Sequence, residues 1–161
     1  MSNMKIVFIK DLLDLPKNIT CSKVLKSYFV FNQLIKELQK RELPEVVIDI
    51  ANANIDLVNH ALEKGFELRK QIRISQKMII KTLEAECKIV TKGHYSNYWM
   101  ALGMAVFGVP IGVVWGSVLN NMGSLGIGIA IGMVIGLAYG NSLDKKAHSE
   151  GRQLNVKINS F

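Results

Sequence analysis

Four polar residues at near-helical spacing, Asp49, Asn52, Asp56 and His60, are the first candidates for chemistry in this chain. Two carboxylates and an imidazole along one helix could share a metal ion, or pair with cations of a neighbouring helix. The same row also suits a solvated face or a line of interhelical salt bridges. Cys21 and Cys87 lack C-x-x-C spacing and a nearby His pair, which argues against zinc; on a cytoplasmic side they should be reduced thiols. His94 and His148 flank an uncharged stretch and could respond to pH, but no other residue supports that role. Gly126, Gly128 and Gly132 spell GxGxxxG inside an apolar run, and no G-x-x-x-x-G-K-[ST] nucleotide loop is present. No catalytic constellation emerges, so the chain reads as a non-enzyme without metal or cofactor.

A second set is basic. Arg69, Arg73, Lys77 and Lys81 recur every four residues, Lys88 and Lys92 follow, and Lys145 and Lys146 stand on the far side of the uncharged stretch. Each Lys or Arg near an anionic lipid surface contributes about 1 kcal/mol, so these residues are candidates for headgroup contact. An ordinary solvated face balanced by Glu67, Glu84 and Glu86 fits the four-residue spacing equally well. The mixed signs and the absence of interleaved aromatics argue against nucleic acid.

These residues hang on an uneven chain. It has 161 residues, 20 Lys+Arg against 13 Asp+Glu, and 49% hydrophobic residues, which excludes a disordered tail or a disulfide-stapled miniprotein. Between Lys92 and Asp144 lie 51 residues without Asp, Glu, Lys or Arg. A helix needs about 20 apolar residues to cross a hydrocarbon core, and two such segments fit, at 99–118 and 122–140. Asn120 and Asn121 are the only polar break, which makes the two spans antiparallel neighbours. The start of the chain has only residues 6–9 as an apolar run before charges resume, so no secretory signal is expected. Lys88 and Lys92 before the first span, and Lys145, Lys146 and Arg152 after the second, predict both termini in the cytoplasm. Tyr95, Tyr98, Trp99 and Tyr139 then fall at the inner interface and Trp115 near the outer one.

Small residues organise the spans. Gly108, Gly112 and Gly116 recur every four residues in the first, with Ala101 and Ala105 roughly in line; Gly128, Gly132, Gly136 and Gly140 do so in the second. Glycine rows let helix backbones approach closely in lipid. Gly126, Ala130, Ala138 and Ser142, interrupted by Val134, form a second row about 200° round the second helix. One face suits the hairpin partner and the other a neighbouring subunit, which points to a homo-oligomer. Pro110 removes a backbone donor mid-span and predicts a kink there, as a static bend or a hinge.

Residues 1–92 carry a net charge of +5, and the residues after the uncharged stretch carry +2. Apolar periodicity predicts helices over 22–40, 44–62 and 67–90, the second opened by Pro44 and ended by Gly65. Residues 5–10 and 153–158 read as short strands that could pair with each other. The expected class is all-α: a membrane helical hairpin (95–142) with a helical cytoplasmic domain (1–92), a cytoplasmic tail (143–161) and short terminal strands.

The glycine rows, the Asn turn and the Asp144, Lys145, Lys146 exit resemble the small two-span glycine-zipper membrane proteins of bacteria. The resemblance covers about 50 residues and implies insertion into the inner membrane with close helix packing; it implies no activity and no site residues. The expected function is an integral inner-membrane protein that self-associates through its hairpin and forms a gated or transient pore. The alternative is a non-conducting anchor for a cytoplasmic protein partner.

Overall fold

The computed structural model describes residues 8–15, 19, 21–64, 67–119 and 122–156. The expected break at Gly65, the turn at Asn120 and Asn121, and the outer parts of both terminal strands (residues 5–7 and 157–158) lie outside these. The chain is mostly helical, about 78%, and divides into two compact units. One comprises the residues up to Thr91 together with those from Leu154 on; the other is Lys92–Gln153.

The first unit is built from α1 (Ser22–Gln39), α2 (Glu45–Lys64) and α3 (Leu68–Cys87). Each buries a stripe at three- and four-residue spacing: Phe31, Leu34 and Leu38 from α1, Val47, Ala51, Ile55 and Val58 from α2, Ile72, Ile79 and Leu83 from α3. Pro44 stands just before α2, and its carbonyl takes the first helical bonds from Val47 and Ile48. At the end of α3 Lys88 takes a left-handed conformation (φ 54°), and the Lys88 and Ile89 amides fold back onto the Glu84 and Leu83 carbonyls.

The terminal segments differ from expectation. Residues 8–10 form no strand, because side chains of α2 take up their backbone groups. The C-terminal strand, Gln153–Leu154, pairs instead with Val90–Thr91. Leu154 and Val156 are buried at 1% and 2% exposure, and Leu154 belongs to the core of the three helices. Part of the expected tail is thus core.

The second unit holds α4 (His94–Gly103) and α5 (Val109–Val118), joined through one π-helical turn (Met104–Gly108) into a continuous 25-residue helix. A short 3-10 turn, Met122–Ser124, leads into α6 (Leu125–Ser149), also 25 residues. Both are long and apolar enough to cross a membrane. They outrun the expected boundaries at 99 and 140. Charge ends an apolar run but not a helix, and Lys146 and His148 in the last turn of α6 complement its dipole. At the other end Gly93, at φ 78°, allows the chain to turn into α4.

Candidate functional site

The feature that sets this molecule apart is the seam of the apolar hairpin. Gly128, Gly132, Gly136 and Gly140 of α6 are buried, each against backbone rather than side chains. A Cβ added to Gly128 would lie 2.3 Å from the Gly112 nitrogen, one on Gly132 2.5 Å from the Gly103 carbonyl oxygen, and one on Gly136 2.1 Å from that of Trp99. A Cβ on Gly140 would meet Ser96 Cα at 2.6 Å. Contacts move towards the start of the first helix as they move along α6, so the helices run antiparallel. Real Cβ atoms cannot approach backbone this closely, so glycine is required at all four positions.

The facing row includes Gly103, which the spacing did not bring forward. Gly103, Gly108, Gly112 and Gly116 are the buried positions of the first helix's central part, whereas Ala101 and Ala105 are exposed. Residues five apart on an α-helix diverge by roughly 140°, so Gly103 and Gly108 should face different ways. The π turn between them absorbs the extra residue and restores the common face. The turn lies just before Pro110. The proline ring crowds the carbonyl of Val106, four residues back, and Val106 lies within the widened turn.

The open end of the hairpin is closed by a polar group that sequence reading missed. Asp144, only 8% exposed, accepts the Tyr95 N–H on Oδ1 at 3.1 Å and the Ser96 N–H on Oδ2 at 3.0 Å. The Ser96 hydroxyl also meets Asp144 Oδ2, and it lies 2.7 Å from Asn141 Oδ1. The carboxylate of one helix thus caps the first turn of the other, satisfying amides that a helix start leaves without partners. Nearby, the Trp99 and Tyr139 rings meet edge-on across the hairpin, with centroids 4.4 Å apart. The available signal was that Asp144 is the first charge after 51 uncharged residues, with a serine at a helix start to receive it.

The rest of the hairpin surface faces outward. Gly126, Ala130, Val134, Ala138 and Ser142 are all exposed, and a Cβ on Gly126 would meet no atom within 4 Å. Val106, Val113, Val114, Ile127 and Ile135 are exposed as well.

In the first unit, Asn52 and Asp56 are engaged by the segment at residues 8–10. Asn52 accepts the Lys10 N–H at 2.8 Å and donates to the Phe8 carbonyl at 3.0 Å, and Asp56 binds the Lys10 ammonium at 2.7 Å. Asn59, one turn on, accepts the Leu13 N–H at 3.0 Å, and Tyr28 donates to the Leu13 carbonyl at 2.5 Å. This polar ladder clamps an extended segment across the bundle. Asp49 and His60 are exposed, and no group of three or more His, Cys, Asp or Glu among the described residues could hold a metal ion. Arg69, Arg73, Lys77 and Lys81 are exposed along α3, as are Lys88, Lys92, Lys145 and Lys146. The exposed Cys21 thiol is held below its ordinary pKa by the backbone amides of Val24 and Lys23, whereas burial pushes the Cys87 thiol up.

The chain matches no protein-family model, no curated protein and no solved structure.

Proposed function

We propose that this is an integral membrane protein whose hairpin crosses the bilayer twice, self-associates, and holds the helical first unit at the cytoplasmic surface. The observation that carries this reading is the pairing of length with exposure. Both hairpin helices have 25 residues, yet only 22% of the apolar stretch of either is buried. A core helix of a water-soluble protein buries most of its apolar residues; these leave theirs outward, the arrangement lipid accepts and water penalises. Basic residues flank both ends of the hairpin and none lies between, the bias expected when both ends stay in the cytoplasm of a bacterial inner-membrane protein.

The glycine zipper of the hairpin is used internally, so self-association falls to the other face of α6, through Gly126 and Ala130. Of the two functional readings, the anchor is better supported than the pore. A ring of such hairpins would enclose a lumen with no Asp, Glu, Lys or Arg between Lys92 and Asp144, which disfavours constitutive conduction. Native mass measurement of the detergent-solubilised protein should give a defined multiple of 18.0 kDa. Gly126→Leu with Ala130→Leu should shift it to monomer, and dye-loaded liposomes carrying the protein should stay tight. A monomeric wild type would refute self-association, and rapid dye release would restore the pore.

A further inference from the structure

We infer that the outward face of α3 is a membrane-surface helix, which lies on anionic lipid with Ile74 and Met78 as its apolar inserts. The inference rests on the membrane reading above and names a surface that reading does not need. On a helix advancing about 100° per residue, Lys70, Arg73, Ile74, Lys77, Met78 and Lys81 fall within an arc of roughly 140°, opposite the buried Ile72, Ile79 and Leu83. All six are exposed. Ile74 and Met78, exposed at 49% and 52%, lie one turn apart with basic residues flanking them on the helix surface. Water offers nothing to such a pair, whereas the headgroup boundary takes apolar side chains and their cationic neighbours together.

Charge selects the lipid. Two carboxylates, Glu67 and Glu84, share the arc; Glu67 is taken up by Lys70 at 2.9 Å, and Lys70, Arg73, Lys77 and Lys81 outnumber the two acids, which keeps the face cationic and suited to anionic headgroups. Aromatic side chains, which a nucleic-acid surface would use for stacking, are absent from the arc. Tethering supplies proximity: only the six residues 88–93 separate the end of α3 at Cys87 from the start of the hairpin at His94, a reach of about 25 Å at most.

The test uses the full-length protein with Cys21→Ser and Cys87→Ser, reconstituted in vesicles. An environment-sensitive fluorophore is placed at Met78→Cys, or at Val114→Cys on the exposed hairpin surface, and quenched by lipid-borne nitroxides. Quenching at position 78 should appear in vesicles containing about a third phosphatidylglycerol, vanish in pure phosphatidylcholine, and weaken as salt shortens the screening length. Arg73→Gln, Lys77→Gln and Lys81→Gln together should lower the affinity of the face for the anionic surface about 100-fold, read as loss of that quenching. Position 114 should be quenched in both lipids. No quenching at 78 in anionic vesicles, with 114 quenched, overturns the inference and leaves the membrane reading standing. No quenching at 114 overturns both. Shielding of position 78 by single-stranded RNA, without lipid quenching, would assign the face to nucleic acid instead.

Discussion

At the residue scale, glycine is placed where backbone meets backbone. Gly136→Val would drive a branched side chain into the Trp99 carbonyl, and overpacking of this kind costs about 1–3 kcal/mol or more. Spin labels on the exposed Ala105 and Ile131 should therefore report a longer and broader interhelical distance in that variant, while Gly126→Val leaves the distance unchanged. The two thiols give a prediction of known sign. Lowering the Cys21 pKa raises its thiolate fraction at any pH near neutrality, and raising that of Cys87 reduces it. Alkylation followed by mass spectrometry should modify Cys21 first, and its rate should persist to lower pH than that of Cys87. A third residue is a cost within the fold: Gln76 is 6% exposed, and among the described residues its Nε2 has no hydrogen-bond partner. Gln76→Met removes that orphaned donor and should raise the stability of the first unit by about 1–3 kcal/mol, measured by denaturant unfolding. Four-residue periodicity made the α6 glycines legible beforehand. Gly103 was not, because a π turn breaks the period that would have revealed it.

At the element scale, the three amphipathic helices could be read to within three residues, since each needs only its own local pattern to state which face is buried. The partners of the short terminal segments could not. Their pairing depends on which backbone groups α2 has already claimed, a matter of tertiary contact between residues more than 40 positions apart. The same limit hid the Asp144 cap, where donor and acceptor lie 48 residues apart. Loss of a helix cap costs about 0.5–2 kcal/mol. Asp144→Ala should accordingly raise hydrogen exchange at the Tyr95 and Ser96 amides, while exchange at the middle of α6 stays slow. If those two amides remain protected in the variant, the carboxylate is not what holds the start of α4.

At the scale of the whole molecule, the composition divides as the structure does: a charged bundle with a buried core, and a hairpin with an apolar exterior. The bundle is completed from beyond the hairpin, since Leu154 joins its core. Removing a buried leucine typically costs 2–5 kcal/mol. Leu154→Ala, or truncation to residues 1–92, should therefore weaken the bundle by about that much in denaturant, although the site lies outside the three helices. The function of the molecule depends on where the hairpin resides. The most direct measurement places single spin labels at the exposed Val106, Val114, Ile127 and Val134 of the protein in lipid vesicles, and compares collision with oxygen and with a water-soluble nickel complex. A bilayer-crossing hairpin predicts high oxygen and low nickel access throughout, with the depth rising and falling along each helix. Free access of nickel at all four positions, in a protein that stays soluble without detergent, would contradict it.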